Sequence, residues 1–562
     1  MKITNYLSKY SITSTLLLLL VCAYIILFDN TSFWSQFSDV VSGSVLYKIF
    51  VEWAFAALLI LILYILLSII CYKKSTKYIL IGLLLISSGI DYFMNIYGTI
   101  ISVSMIQNVI ETDVHEASDL LSLNLFKYIF FYGVLPSIIV YFVTIKDQTF
   151  VSEFKTRAGV FLVLLLVTST SVYMVLKDVA FIGRENKDLK HYLNPVYPMA
   201  SVYKYIKFST QSNKERRLEE VFSDSVVSEI SVKSGKNTVL VIVVGETARA
   251  SSFKLNGYTR NTTPRLSKME IVNYSNVSSC GTATAESLPC MFSNITHNGF
   301  DIDKIRHQEN LLDALKYADI NVQWRENNSG CKGVCKRSET QVMSLLDNKD
   351  LCDGKECFDE ILLNNLKSYI RNLNKDTVIV LHQQGSHGPA YYKRFPEKFA
   401  VFQPECKSKA LQDCSNDQIK NSYDNTILYT DYVLSEVINI LKENTDVANT
   451  AMMYMSDHGE SLGEKGVYLH GLPYFMAPEE QTKIPFIVWL SDNIKDNKGI
   501  SETCLNAHAS SLHSHDNLTH SVLGLMNIKT KNYDNELDIF STCRRDTSNI
   551  VDSNGNKKLD HI

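Results

Sequence analysis

The sequence has no excess of basic charge: 55 Lys and Arg stand against 59 Asp and Glu, and the net charge is -4. Proteins that bind nucleic acid usually carry a basic patch or stripe that meets the phosphate backbone. The near-neutral balance gives no indication of such a partner, so we expect no nucleic-acid binding.

Cysteine is scarce in the first third of the 562 residues, where only Cys22 and Cys71 occur. The other ten cysteines lie between Cys280 and Cys543, many of them closely spaced. An even set of closely spaced cysteines is typical of a disulfide-rich domain in an oxidising compartment. We therefore expect the second part of the chain to lie outside the cytoplasm.

Long apolar runs are concentrated in the first third. Five segments are long and apolar enough to cross a membrane: Ile12 to Phe28, Val51 to Cys71, Tyr78 to Ile96, Leu123 to Ile145, and Gly159 to Leu176. No small-residue cleavage site follows the first segment, which favours a retained anchor over a signal peptide. The sequence thus predicts a transmembrane domain of five helices over residues 1–176.

Basic residues are nearly missing from the loops Asp29 to Lys48 and Tyr97 to Ser122. The alternate loops carry Lys and Arg instead: Lys73, Lys74, Lys77, Lys146, Lys155 and Arg157. By the positive-inside rule the N-terminus is cytoplasmic, and an odd number of crossings places the rest of the chain outside. This agrees with the independent argument from cysteine.

Residues 177–237 are polar and mixed, with scattered apolar side chains such as Tyr203 and Ile206. Short amphipathic helices lying on the membrane are one interpretation, and an ordinary surface linker is the other. Either would join the membrane domain to a soluble domain over residues 238–562.

The last part of the chain alternates strands with helices. Short β-branched or apolar runs predict strands at Thr238 to Val244, Ile320 to Trp324, Thr377 to His382, Thr450 to Ser456, and Ile484 to Leu490. Helical periodicity separates them, as in Leu311 to Tyr317 and Tyr432 to Leu441. This alternation predicts an α/β domain with a mostly parallel sheet, whose active site lies at the carboxyl ends of the strands.

Polar residues follow several of these strands. Glu246 comes after the first, Asp457 and His458 come after the fourth, and His387 follows the third, with His470 further on. A single His at a strand end is usually a surface or hydrogen-bonded core residue. Several carboxylates and imidazoles at one sheet edge instead favour a zinc site with oxygen and nitrogen donors.

The segment Cys280 to Phe292 offers a nucleophile. It contains two candidate hydroxyl nucleophiles, Thr282 and Thr284, in a small-residue loop that Cys280 and Cys290 could close as a disulfide. A threonine becomes a useful nucleophile only when a base or a metal ion activates it. The residues themselves leave the choice between the two threonines open.

Asn108, Thr112 and Glu116 recur every four residues in a predicted outer loop, which would place them on one face of a short helix. A solvated polar face explains this spacing. From the spacing alone this is the preferred interpretation, and the alternative is a pocket for a lipid head group, where Glu116 could meet an ammonium group.

Four motifs together resemble those of the phosphoethanolamine transferases that modify lipid A, a group that includes the mobile colistin-resistance enzymes. They are Gly245-Glu246-Thr247-Ala248-Arg249, Cys280-Gly281-Thr282-Ala283-Thr284-Ala285, Ser386-His387-Gly388-Pro389-Ala390-Tyr391-Tyr392, and Asp457-His458-Gly459-Glu460-Ser461. The resemblance covers essentially the whole chain. It implies an α/β/α domain of the alkaline-phosphatase or sulfatase type behind the helical transmembrane domain.

The resemblance also implies roles for individual residues. Thr284 resembles the nucleophile, and the ligands of a tightly held zinc are Glu246, Thr284, Asp457 and His458. A second, more weakly held zinc or the transferred phosphate would be bound by His387 and His470. Head-group contacts would come from Asn108, Thr112, Glu116, Ser329 and Lys332, and the pair Cys331 and Cys335 beside Lys332 departs from part of the family.

The implied reaction is transfer of phosphoethanolamine from phosphatidylethanolamine to a phosphate of lipid A through a phospho-threonine intermediate. The implied location is the bacterial inner membrane with a periplasmic catalytic domain, and the implied consequence is resistance to polymyxin-type peptides. Another acceptor, such as a core sugar of lipopolysaccharide or a membrane glycan, is the main alternative. A sulfatase is disfavoured because the nucleophile loop lacks the Cys/Ser-x-Pro-x-Arg motif. A membrane sensor built on an inactive hydrolase domain is also disfavoured, because such a protein would not need to keep Thr284 and every candidate ligand.

Pairing the ten outer cysteines in sequence order uses all of them: Cys280 with Cys290, Cys331 with Cys335, Cys352 with Cys357, Cys406 with Cys414, and Cys504 with Cys543. A structural zinc held by Cys331, Cys335, Cys352 and Cys357 is the competing interpretation. The expected oxidising compartment favours the disulfides.

Overall fold

The structure is a computed structural model that describes residues 11–72, 75–111, 114–212, 217–228 and 235–545. The chain forms two compact units. The first, which we call the membrane unit, contains residues 1–106, 121–207 and 465–468, and the second, the sheet unit, contains residues 107–120, 208–464 and 469–562. The domain boundaries at residues 176 and 237 stay a prediction. Lys73 and Lys74, used above for orientation, lie outside the described residues.

The first 212 residues are mainly helical. The α-helices are α1 Ser14–Phe28, α2 Thr31–Val40, α3 Val45–Ile70, α4 Ser75–Tyr97, α5 Val103–Glu111, α6 Val114–Asp119, α7 Leu123–Ile129, α8 Leu135–Phe142, α9 Phe150–Met174, α10 Leu176–Glu185 and α11 Val196–Ser212. A π-helical turn, Phe130–Val134, joins α7 to α8. Two short strands, β1 Ser11–Ile12 and β2 Thr144–Ile145, pair in parallel within the membrane unit.

Four helical stretches in the described residues are long and apolar enough to cross a membrane: α3, α4, α7 to α8 as one stretch, and α9. The pair α1 and α2, bent by 61°, makes a fifth if it forms one span. The upper count equals the predicted five. Two predicted starts were too late, because polar caps extend the helices beyond their apolar runs: Ser44 accepts the Tyr47 amide before α3, and Thr149 accepts the Ser152 amide before α9.

The sheet unit contains the remaining elements. Its helices are α12 Thr284–Met291, α13 Ile302–Arg306, α14 Leu311–Tyr317, α15 Leu366–Arg371, α16 Asn416–Lys442, α17 Glu479–Thr482, α18 Asp492–Lys498, α19 Glu502–His508 and α20 Asp516–Leu525. Its strands, together with the short β11 at its boundary, are β3 Val226–Val227, β4 Asn237–Gly245, β5 Val272–Ser278, β6 Asn321–Glu326, β7 Glu339–Val342, β8 Thr377–His382, β9 Ala448–Ser456, β10 Ser461–Leu462, β11 Tyr468–Leu469, β12 Lys483–Leu490, β13 His513–Ser514 and β14 Ile528–Lys529.

Eight strands form one sheet in the order β13-β5-β12-β9-β4-β8-β6-β7. All pairs are parallel except those of β12, which runs antiparallel to both β5 and β9. The sheet is therefore mostly parallel, as expected, but one of the five predicted strands is reversed. The sequence reading missed β5, β7 and β13, because β5 alternates polar with apolar residues and the other two are short.

The central strands are buried on both faces, as their apolar runs require. Beside them pack large side chains such as Trp324 and Phe292, both fully buried. Strands β4, β8 and β9 run in the same direction, so their carboxyl ends share one edge of the sheet. That edge carries the polar residues singled out from the sequence.

Candidate active site

Two neighbouring strands bring three candidate ligands together. Gly245 at the end of β4 pairs with Ser456 at the end of β9, and the residues that follow are Glu246, Asp457 and His458. All three are fully buried. Two carboxylates so close together in the interior require a positive partner, because a buried charge is costly unless it is paired or bound to a metal.

Thr284 lies against the same group. It is the first residue of α12, and its hydroxyl oxygen lies 3.3 and 3.2 Å from the two carboxylate oxygens of Glu246 and 3.4 Å from Nε2 of His458. The N-terminus of a helix favours negative charge, so this position suits a hydroxyl that must become an anion. The other loop hydroxyl points elsewhere: Thr282 donates to the Leu472 carbonyl at 2.5 Å.

The spacing of these atoms suits a metal ion. His458 Nε2 lies 3.5 Å from Glu246 Oε1 and 3.4 Å from Asp457 Oδ2. Tetrahedral zinc with bonds of about 2.0–2.2 Å to oxygen and nitrogen separates its ligands by roughly 3.3–3.6 Å. Asp457 Oδ2 is buried and makes no hydrogen bond within the described part of the chain. The four side chains therefore fit a mixed oxygen and nitrogen metal site.

Glu246 is held in place from two directions. Asn328 Nδ2 donates to Glu246 Oε2 at 2.8 Å and to the Gln383 carbonyl at 2.9 Å. Gly385 packs against the Glu246 backbone so closely that an added Cβ would lie 2.6 Å from the Glu246 carbonyl oxygen, and its φ is +55°. Only glycine meets both conditions without strain.

His387 and His470 lie beside this group. The His470 ring centroid is 4.4 Å from that of His458 and 5.5 Å from that of His387. Glu460 Oε2 lies 2.8 Å from Nδ1 of His470, and its other oxygen accepts the Tyr391 hydroxyl at 2.7 Å. Burial lowers the pKa of His387 well below its usual value, so its imidazole is neutral near pH 7.

The nucleophile loop is tied to the sheet edge by His515. Its Nδ1 accepts the Cys280 amide at 3.0 Å, and its Nε2 donates to the Ser456 carbonyl at 2.9 Å. Burial lowers the pKa of His515 to about 4, which is consistent with a neutral ring that accepts at one nitrogen and donates at the other. The disulfide between Cys280 and Cys290 closes the loop around the start of α12.

The structure describes only some of the predicted head-group residues. Lys332 Nζ lies 3.0 Å from Ser329 Oγ and 3.2 Å from the Glu111 carbonyl. Asn108 lies in α5 and Glu116 in α6, and the two residues between these helices lie outside the described residues, so the shared helical face stays a prediction. Thr112 and the side chain of Glu116 lie outside the described residues.

All ten outer cysteines form disulfides in the structure, joining the same partners that sequence order suggests. The four cysteines of the competing zinc hypothesis are thus bonded to one another in pairs. The two remaining cysteines, Cys22 and Cys71, are free thiols buried in the membrane unit.

Comparison with known proteins identifies the family. Residues 238–528, just over half of the chain, match the sulfatase family model, and residues 59–210 match the model of phosphoethanolamine transferases EptA and EptB. The phosphoethanolamine transferase EptA of Escherichia coli K12 is 37% identical over 532 residues, which cover 94% of this chain and 96% of that protein. The chain belongs to the phosphoethanolamine transferase family.

Two further relatives agree with this assignment. The phosphatidylethanolamine transferase Mcr-1 of Escherichia coli is 36% identical over 81% of this chain and 84% of its own. The integral membrane lipooligosaccharide phosphoethanolamine transferase A of Neisseria meningitidis superposes with a TM-score of 0.91 at 34% identity, covering 96% of this chain and 100% of that one. The resemblance read from the motifs and the predicted fold class, a helical membrane region followed by a sulfatase-like domain, are confirmed.

Sequence reasoning about this transferase missed three supporting residues. Asn328 and His515 belong to no motif, and Glu460 was part of a motif without a role of its own. Asn328 could have been found from its position, two residues beyond the end of β6. Because β6 is parallel to β8 and ends at the same edge of the sheet, a polar residue there is expected near the site. No sequence pattern indicates His515, since its contacts come from distant parts of the chain.

Proposed function

We propose that this transferase moves phosphoethanolamine from phosphatidylethanolamine to a phosphate of lipid A through a phospho-threonine intermediate at a zinc site. The observation that carries the proposal is a group of four buried donor atoms from Glu246, Thr284, Asp457 and His458. His458 Nε2 lies 3.4 to 3.5 Å from an oxygen of each of the other three, and Thr284 Oγ lies 3.3 Å from Glu246 Oε1. The structural relative from Neisseria meningitidis is a lipooligosaccharide phosphoethanolamine transferase, which supports a lipid A acceptor for this chain.

Thr284 Oγ attacks the phosphorus of the donor lipid. A bond forms between Oγ and phosphorus, the bond to diacylglycerol breaks, and the departing oxygen takes up a proton. An oxygen of the acceptor phosphate then attacks the same phosphorus, and the bond to Thr284 Oγ breaks. Glu246, Thr284, Asp457 and His458 would hold a zinc ion, which would lower the pKa of the Thr284 hydroxyl and so make a nucleophile available near neutral pH.

Residues around the donors stabilise charge on the transferred group. The amino end of α12 faces the Thr284 oxygen and favours negative charge there. His387 and His470 would bind the phosphate oxygens or a second zinc. Because Nδ1 of His470 contacts Glu460, we expect Nε2 to meet the phosphate.

The proposed location is the bacterial inner membrane, with the N-terminus in the cytoplasm and the catalytic domain in the periplasm. Donor and acceptor are then both lipids of the outer face of that membrane. Adding an ethanolamine amine to a lipid A phosphate lowers its net negative charge, which would weaken binding of cationic polymyxin-type peptides.

Thr284→Ala tests the proposal in cells that express the full chain. We expect wild-type protein to add one phosphoethanolamine to lipid A, and the variant to lower transfer by about 1000-fold or more, because the covalent step loses its nucleophile. Mass spectrometry of extracted lipid A measures both.

Thr282→Ala is the matched control, because it removes a hydroxyl from the same loop that contacts the Leu472 carbonyl rather than the donors. It should retain transfer. Normal transfer by Thr284→Ala would contradict the nucleophile assignment, and modification of core sugars or a membrane glycan instead of lipid A would favour the alternative acceptor.

A further inference from the structure

A large cleft lies beside the nucleophile helix within the sheet unit. Its volume is about 850 Å³, and residues along its wall include Glu111, Pro289, Arg306, Lys332, Lys336 and Arg337. Pockets of 300–1,000 Å³ typically enclose ligands well above the size of a single small ion. The cleft therefore has room for a head group larger than ethanolamine phosphate.

The wall of the cleft carries excess positive charge. Arg306 is neutralised by Glu111 through two hydrogen bonds of 2.8 and 3.0 Å, and Arg337 is neutralised by Asp313 at 2.7 Å. Within the described part of the chain, neither Lys332 nor Lys336 has a carboxylate within 4 Å, and Lys336 is exposed. Two cations are thus left to attract an anionic ligand.

Covalent and hydrogen-bonded links connect this cleft to the reacting centre. Helix α12 begins with Thr284 and contributes Pro289 to the wall, and Arg306 Nη2 donates to the Ala285 carbonyl at 3.2 Å. On the other side, the loop after β6 carries Lys332 and Lys336 and also Asn328, which holds Glu246. The cleft therefore borders the helix that carries the nucleophile and the loop that supports Glu246.

The charges of the two substrates indicate which of them the cleft binds. The head group of phosphatidylethanolamine is a zwitterion with no net charge, whereas a phosphate monoester on a sugar carries about -1.5 to -2 near pH 7. Of the two cations without a carboxylate partner, Lys332 is a predicted donor contact, so the exposed Lys336 is left to pair with the monoester. The predicted donor contacts Ser329 and Lys332 are only two of the 15 residues that line the cleft.

We propose that this cleft is the acceptor subsite, where Lys336 pairs with a phosphate monoester of a phosphorylated sugar head group. The inference rests on the proposed function and names a specificity residue for its second step. Lys336 does not take part in the attack of Thr284 on the donor lipid. The donor and acceptor half-reactions should therefore respond differently to its removal.

The experiment compares Lys336→Ala, Lys336→Arg and wild-type full-length protein in mixed micelles. Donor cleavage is followed as diacylglycerol released from phosphatidylethanolamine without acceptor, and transfer is followed by mass spectrometry at varied lipid A concentration. We expect Lys336→Ala to raise the KM for lipid A about tenfold, the usual effect of losing one charge-assisted hydrogen bond, and to leave donor cleavage unchanged. Lys336→Arg should stay within about twofold of wild type, since it keeps the charge.

Lys375→Ala is the control, because Lys375 is an exposed lysine at the amino end of β8, on the opposite edge of the sheet, paired only with exposed Asp319. It should match wild type in both assays. An unchanged KM for lipid A in Lys336→Ala, or an equal rise in the KM for the donor, would overturn the acceptor subsite. If wild-type protein released no diacylglycerol from phosphatidylethanolamine, the proposed function itself would be contradicted.

Discussion

Asn328 shows how one uncharged side chain can set the geometry of a charged site. Its amide holds a Glu246 oxygen at 2.8 Å while it is anchored to the Gln383 carbonyl at 2.9 Å. We expect Asn328→Ala to weaken zinc binding about 10- to 100-fold, because partners that orient a ligand have effects of this size. Competition with a fluorescent zinc chelator measures the affinity.

The exposed Asn374→Ala, at the far edge of the sheet, is the control and should bind zinc as wild type does. The melting temperature of each metal-free protein should be recorded as well, so that unfolding is not mistaken for lost affinity. Equal zinc affinity in Asn328→Ala and wild type would show that Glu246 needs no such support.

At the residue scale, the sequence predicted donors better than their supports. Glu246, Asp457 and His458 follow buried strands, and the geometry of parallel sheets brings such ends together. The sequence pattern could not choose between Thr282 and Thr284, because two hydroxyls two residues apart in one loop look alike. Their directions are set by α12 and by the Leu472 carbonyl, which only the folded chain brings near.

At the element scale, His515 joins two structural elements that the chain separates widely. It connects the loop before α12 to the end of β9 through its two ring nitrogens. Burial lowers its pKa to about 4, below the ordinary value of about 6.5. The folded protein therefore binds fewer protons than the unfolded chain at pH values between these two, so the stabilisation is complete above about pH 6.5 and is lost as the pH falls.

This linkage predicts the behaviour of His515→Gln, whose amide can accept and donate but does not titrate. Between pH 7 and pH 5 wild-type protein should lose about 2 kcal/mol more stability than the variant, at roughly 1.4 kcal/mol for each pH unit below 6.5. Thermal melting of the full chain at several pH values measures the difference. The exposed His508→Gln should follow the wild-type profile, and parallel profiles for His515→Gln and wild type would contradict the prediction.

Strand existence could be predicted at this scale more easily than strand direction. The apolar runs of β4, β8 and β9 mark buried strands, but β5 reads Val-Asn-Tyr-Ser-Asn-Val-Ser and resembles a polar loop. The run of β12 looks like its parallel neighbours, yet it is reversed. Direction depends on the connections that precede a strand, and those are irregular here.

At the scale of the whole molecule, both proposed substrates are lipids, so the transmembrane region should raise the local concentration of each. Removing residues 1–177 should lower transfer between lipids in vesicles about 100-fold or more. Cleavage of a small water-soluble phosphate diester without ethanolamine should be affected much less. It needs neither the membrane nor the predicted head-group contacts Asn108, Thr112 and Glu116, which the deletion also removes. Both rates can be measured on the same preparations, and an equal loss of both would count against tethering as the reason for the membrane region.

The five disulfides have a consequence for how the chain is made. Every bond joins two cysteines that follow each other in the set of ten, with separations of 10, 4, 5, 8 and 39 residues. When the chain emerges from its amino end on the oxidising side of a membrane, the first cysteine of each pair appears before its partner. The partner is then the next cysteine to emerge. Oxidation in order of emergence then gives the native pairing without any reshuffling of bonds.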